Sequence, residues 1–216
     1  MPNKWIDSPK KKKRSNGKPS STSPSDTVTE SELYDAIRRL AVVFERRKVS
    51  HALIGGIAVG LRTRPRSTKD ADFIIQVPAL SFPGLLEDLA ADGFEIDVLD
   101  IIRRWSADRF VVFYLGTVRI DWMQPILPIY SRVLQEATNE AWFGSHLKVA
   151  TAAGLIVTKM VAFRLQDQTD IESLLIANRD AIDLDFILTE WTPFADTEPE
   201  RTAWLTGMIA KHVPQR

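Results

Sequence analysis

The sequence predicts a mixed α/β domain of the α+β kind: a small mixed β-sheet with helices on one face, followed by a C-terminal helical region. Three observations predict it. Leu33, Ile37, Leu40 and Phe44 recur at helical spacing near the start. Residues 70–77 and 118–123 instead set alternate side chains on opposite faces, the period of a strand. After Pro125 and Pro128 the apolar spacing becomes helical again. The chain thus divides into a basic arm over 1–28, a sheet-bearing core over 29–125 and a helical region over 126–216.

The arm is rich in Pro, Ser, Lys and Asn and has almost nothing to bury, so it is expected to be disordered. Seven lysines and arginines stand against Asp7 alone in its first 20 residues, although the whole chain is formally neutral. A basic arm joined to a mildly acidic body results. The run Lys10–Arg14 suits nucleic-acid phosphates, a nuclear-address-like segment or a plain solubilising tail, and no site is assigned to it.

Thr29-Glu30-Ser31-Glu32 has the form of a capping box, with Thr29 as N-cap and Glu32 reaching back, opening an amphipathic helix expected to pack on the sheet. Ala52-Leu53-Ile54 reads as a buried strand ending at Gly55-Gly56, and residues 57–62 as a short helix. A loop containing Pro65 leads to the strand 70–77. There Ala71, Phe73, Ile75 and Val77 share one face, and Asp70, Asp72, Ile74 and Gln76 the other. A helix is expected over 81–91. Residues 109–114 and 117–123 form an antiparallel hairpin, and helices follow over 128–138, 152–164, 167–178, 181–191 and 198–212.

Composition narrows the chemistry. With no cysteine there is no disulfide framework, thiolate metal site or cysteine nucleophile. No apolar run approaches the roughly 20 residues of a membrane span, and the first ten residues lack a secretory core, so a cytoplasmic protein with no membrane partner is expected. His51, His146 and His212 have no ligand spacing and read as incidental; the six tryptophans read as packing.

The strongest chemical signal is Gly55-Gly56, then Asp70-x-Asp72, then Asp121. A strand rises about 3.3 Å per residue, so Asp70 and Asp72 stand on one face roughly 6.6 Å apart. Asp121 shares its face with Arg119 and Met123, and joins the pair if the two strands are neighbours. Three gathered carboxylates repel one another unless cations lie among them, and an all-oxygen set suits Mg2+ or Mn2+. Such a cluster fits phosphoryl chemistry, with Asp70 and Asp72 as metal ligands, and Asp121 as third ligand and helper in deprotonating an attacking hydroxyl. Gly55 and Gly56 end a strand and open a helix, where bare backbone and free N–H groups suit a phosphate. Arg62, Arg64, Arg66 and Lys69 make the preceding loop basic, which reads equally as a phosphate or nucleic-acid clamp and as a solvated loop; Arg66, nearest the aspartates, is preferred. Lys159 lies on an apolar helical face with Leu155, Ile156, Met160 and Phe163, where an unpaired lysine is costly. A role toward a triphosphate is favoured over snorkelling to water, and Lys159→Ala is expected to weaken that role without harming the fold. Arg164, Asp167 and Asp170 read as a structural charge network.

Leu53-Ile54-Gly55-Gly56, the Arg-rich loop, Ser67-Thr68-Lys69-Asp70-Ala71-Asp72-Phe73 and Ile120-Asp121 resemble the signature of the nucleotidyltransferase superfamily, which includes DNA polymerase beta and kanamycin nucleotidyltransferase. Leu155-Ile156-Val157-Thr158-Lys159, continuing through Arg164, Asp167 and Asp170-Ile171, is similar to the helical motif of the AbiEii-like bacterial branch. The resemblance covers roughly residues 30–180. Many members have Gly-Ser where this chain has Gly55-Gly56, although Gly-Gly occurs in the AbiEii-like branch. The resemblance implies an enzyme that moves a nucleotide from a nucleoside triphosphate such as ATP to an acceptor hydroxyl and releases pyrophosphate. It further implies Asp70, Asp72 and Asp121 as catalytic residues, and Gly55, Gly56, Arg66, Lys69 and Lys159 as triphosphate contacts. RNA, especially a tRNA 3′ end, is the implied acceptor, in a toxin of a toxin–antitoxin pair with a cognate antitoxin. A hydroxyl of a partner toxin protein is the alternative, and a small antibiotic the least favoured. The competing class is a non-catalytic module that binds nucleotide or a partner protein, against which all three aspartates argue.

Overall fold

The computed structural model describes residues 28–65, 68–142 and 144–214. The expected disordered arm, apart from Val28, and the expected triphosphate contact Arg66 lie outside the described residues.

Helix α1 (Glu30–Arg47) starts at the capping box read from the sequence: Thr29 Oγ1 accepts from the Glu32 N–H at 3.2 Å, and the Thr29 N–H donates to Glu32 Oε2 at 2.8 Å. Strand β1 (Ser50–Ile54) runs directly into α2 (Gly55–Arg62), and β2 (Asp70–Gln76) returns antiparallel to β1. Helices α3 (Phe82–Ala91) and α4 (Val98–Asp108) then lead to the hairpin of β3 (Phe110–Leu115) and β4 (Val118–Met123). That long crossover is what lets β4 lie parallel beside β2. After α5 (Pro128–Gln135) a second hairpin follows, β5 (Thr138–Trp142) and β6 (Ser145–Val149), before α6 (Ala152–Ala162), α7 (Leu165–Asn178), α8 (Leu184–Trp191) and α9 (Pro199–His212). The six strands form one mixed sheet in the order β3-β4-β2-β1-β6-β5.

One sheet face belongs to α1. Phe44, 1% exposed, sets its ring 5.5 Å from that of Phe73 on β2 and 5.6 Å from that of Trp122 on β4. Ala71, Phe73 and Ile75 point to this side and are fully buried, so the alternation read from the sequence is the observed one. On the other face Ala52 and Ile74 are also fully buried, while the same strands carry the aspartates nearer one end.

Two elements depart from the expectation. The region from 126 onward is not purely helical, because β5 and β6 complete the sheet. Ser145, Leu147 and Val149 do alternate inward, but only over five residues, and β5 is mostly exposed, so the strand period is short and one-sided. Helix α4 covers a stretch given no element. Val98, Ile101, Ile102 and Trp105 have helical spacing behind an Asp97 N-cap, but Leu99, 81% exposed, falls on the wrong face and blurs the pattern.

The seam between β1 and β6 has one ladder pair, Leu53 with Val149, plus the Ala150 N–H donating to the Leu53 carbonyl at 3.0 Å. His51 extends it. Its Nε2 accepts from the Lys148 N–H at 3.1 Å while Nδ1 meets the Val49 carbonyl at 2.9 Å, an arrangement that needs the neutral ring. Burial pushes its pKa down to about 4. Arg62 ties the second hairpin to α2, donating to Ala150 O at 3.0 Å, Glu140 Oε1 at 2.7 Å and Thr138 Oγ1 at 2.7 Å. Arg62 is therefore a structural staple rather than a phosphate clamp.

Candidate active site

The parallel pairing of β2 with β4 sets Asp72 directly opposite Asp121, and Asp70 opposite Arg119. Side chains of facing residues in register point to the same side of a sheet. Asp70, Asp72, Arg119 and Asp121 therefore share one face, away from α1, with the three predicted aspartates on neighbouring strands.

Their mutual field is strong. The Asp72 carboxyl is pushed up to about 7, first by loss of water and then by Asp121 and Asp70, with Lys159 and Arg119 pulling the other way. Asp121 is also raised, chiefly by burial and further by Asp70. Opposing this, Arg119 forks its carboxylate, Nε to Oδ1 at 2.6 Å and Nη2 to Oδ2 at 2.8 Å. Sequence reasoning gave Arg119 no role. The available signal was its position two residues before Asp121, on the same strand face.

Gly55 has φ +70°, a left-handed conformation in which a side chain is strained. A Cβ placed there would stand 1.9 Å from Asp72 Oδ2. The anion that this bare backbone approaches in the structure is the Asp72 carboxylate itself. Gly56 follows, buried in the first turn of α2, and no side chain caps that turn.

Lys159 is 8% exposed on α6, and its Nζ lies 2.7 Å from Asp170 Oδ2 and 3.1 Å from Asp167 Oδ1. Asp167 also accepts from the Arg164 backbone N–H at 3.0 Å and from Arg164 Nε at 2.8 Å. The charge network read among Arg164, Asp167 and Asp170 thus includes Lys159 as its buried cation. The network adjoins the aspartates closely enough for Lys159 to act on Asp72. Lys69, just before β2, is exposed.

No protein-family model matches the chain, and no curated protein matches it in sequence. Solved structures do match in shape. An antigenic nucleotidyltransferase-like protein from Paracoccidioides brasiliensis superposes with a TM-score of 0.53 at 18% identity, over 87% of this chain and 96% of that one. The chain has the nucleotidyltransferase fold. The antibiotic-resistance factor ANT(2″)-Ia, in its solution structure, matches with a TM-score of 0.50 at 15% identity, over 85% of this chain and all of that one.

Among the described residues, no three acidic or histidine side chains are gathered closely enough to hold an ion as they now stand. The donor set nevertheless fits: hard carboxylate oxygens, crowded until one resists ionisation, with a guanidinium already serving as a cation on Asp121. Asp70 and Asp72 on one strand and Asp121 on the next are the residues that would hold it.

Proposed function

We propose that this chain is a metal-dependent nucleotidyltransferase that moves a nucleotide from a nucleoside triphosphate to an acceptor hydroxyl. One observation carries the reading. In a nucleotidyltransferase fold, the register of β2 on β4 faces Asp72 to Asp121, with Asp70 on the same side and the Gly55 turn packed against Asp72. Mg2+, or Mn2+ in its stead, when bound supplies positive charge to the attacking and leaving oxygens of an in-line displacement. Asp70 and Asp72 would hold it, with Asp121 as the third ligand, and Asp121 takes the proton of the acceptor hydroxyl. That oxygen then bonds to the α-phosphorus as pyrophosphate leaves. Gly55 and Gly56 offer backbone N–H groups to the triphosphate, aided by Lys69 and Arg66. Lys159 has three N–H donors, of which Asp167 and Asp170 take two, so its part in triphosphate binding rests on the third and on its field at Asp72.

RNA, and a tRNA 3′ end in particular, is the first acceptor class. The likeness of residues 155–171 to the AbiEii-like motif supports it, together with the basic arm, and carries with it a place in a toxin–antitoxin pair. A protein hydroxyl is the second class. The test is incubation with each labelled triphosphate, Mg2+ and total cellular RNA, protein or a panel of small antibiotics. Label is expected in RNA with the native chain and not with Asp72→Ala. Incorporation that survives Asp72→Ala would show that these carboxylates are not the catalytic centre.

A further inference from the structure

Asp121 is the acid that the proposed chemistry needs at two moments, for the ion and for the proton, and neither of its oxygens is free. Arg119 Nε and Nη2 cover Oδ1 and Oδ2 in a bidentate fork. Such charge-assisted forks are among the strongest side-chain contacts and fix the plane of the carboxylate. A divalent ion sits about 2.0–2.1 Å from its oxygens, so on the edge of the carboxylate that the two guanidinium N–H groups cover, ion and guanidinium compete for the same lone pairs. Exposure says which partner gives way: the Arg119 side chain is 41% exposed and the Asp121 side chain 13%. The carboxylate is anchored, and the guanidinium has water to swing into.

We propose that Arg119 is a latch on the metal centre: a resident counter-cation that holds Asp121 closed in the unloaded protein and must swing out before a divalent ion can bind there. This rests on the metal-dependent reading above. Closed, the latch relieves the repulsion among Asp70, Asp72 and Asp121 that would otherwise burden a metal-free site. The cost is borne in apparent affinity, because an ion must select the open fraction. If one molecule in ten is open, apparent affinity falls roughly tenfold. Arg119 is accordingly a positioning residue that acts through Asp121.

The experiment measures Mn2+ binding to the full, nucleotide-free chain by calorimetry and by the loss of free Mn2+ resonance signal. It compares the native chain with Arg119→Gln, Arg119→Lys, and Arg119→Gln combined with Asp121→Asn, each checked for folding by a melt in EDTA. The latch predicts that Arg119→Gln binds Mn2+ roughly tenfold tighter than the native chain. Arg119→Lys, which keeps the charge and loses the fork, gains less, and the gain disappears when Asp121→Asn is added. Because deleting a nearby positive charge by itself also favours a cation, the fork is read from Arg119→Lys, which keeps the charge: tighter binding there marks the latch, and weaker binding marks a merely structural Arg119, since loosening Asp121 weakens a site it belongs to. Native chain that binds Mn2+ while Arg119→Gln binds no tighter overturns the latch and leaves the metal centre standing. No binding by any variant at millimolar Mn2+ overturns the metal centre and the latch together. Should Arg119→Gln fail to fold, Arg119→Lys against the native chain carries the same comparison.

Discussion

Replacing Gly55 with Ala tests the contact on which the site is built. Two penalties add. A Cβ at φ +70° costs about 1–2 kcal/mol in the left-handed region. The same atom would lie 1.9 Å from Asp72 Oδ2, 2.6 Å from Cγ and 2.9 Å from Cβ. The carboxylate can rotate away, but the Asp72 Cβ is fixed to a strand paired on both sides, so overpacking adds about 1–3 kcal/mol. The expected loss is about 2–5 kcal/mol, measured by urea denaturation in EDTA. Nucleotide incorporation should fall further than stability does, because rotation takes the carboxylate off its face of the sheet. The decisive comparison is the same substitution in an Asp72→Gly background. There the clashing atoms are gone and only the backbone penalty of about 1–2 kcal/mol remains. An equal cost in both backgrounds, or a Gly55→Ala chain with native stability and transfer, would refute the packing of the glycine turn on Asp72.

Asp72 has a folded pKa of about 7 against an ordinary 3.8, so the folded state holds the extra proton and stability falls as pH rises through that window, by up to about 4 kcal/mol. Asp72→Asn should remove this slope and make the metal-free chain more stable than native above pH 7 in EDTA; a parallel pH profile would contradict the crowding of the three acids. His51 has the opposite sign. Its folded pKa of about 4 lies below 6.5, so stability is full above pH 6.5 and is lost as pH falls toward 4, by up to about 3 kcal/mol. His51→Ala should flatten that segment of the profile while costing the seam bond to Lys148. Lys159→Met would leave Asp167 and Asp170 without their buried cation and should destabilise the chain by about 3–5 kcal/mol in a chemical melt. A fully stable variant would show that Arg164 on Asp167 and Gln166 on Asp170 satisfy the two carboxylates without it.

The pairing of Lys159 with Asp167 and Asp170 was not legible in the sequence, and the reason is instructive. Periodicity correctly placed the lysine on a buried face and the two aspartates on the next helix, but it carries no information on how two helices meet, so the partners went unseen. Strand alternation over 70–77 and 118–123 fixed which face each aspartate takes. The register that sets Asp72 against Asp121 came only from the folded sheet, because parallel neighbours are joined through α3, α4 and β3 rather than by a turn. Arg119 was legible as a neighbour of Asp121 on that face, and its fork was not, since either carboxylate across the strands could have claimed it. Gly55 was read as an anion site on sound grounds, yet the nearest anion proved to be the protein's own. His51 looked incidental because its partners, Val49 O and Lys148 N, are backbone atoms invisible to any side-chain motif.

The second hairpin has a bearing on how the chain is made. Strand β1 has its β2 partner close by in sequence, yet the partner of its other edge, β6, is synthesised only after all the elements from α2 to β5. Until then Ala52 and Leu53 present an apolar strand with open hydrogen-bonding groups, the kind of edge that recruits foreign strands. A nascent chain stalled or cleaved before residue 145 would be left in that sticky state, and the late arrival of Val149 beside Leu53 is the event that seals the sheet.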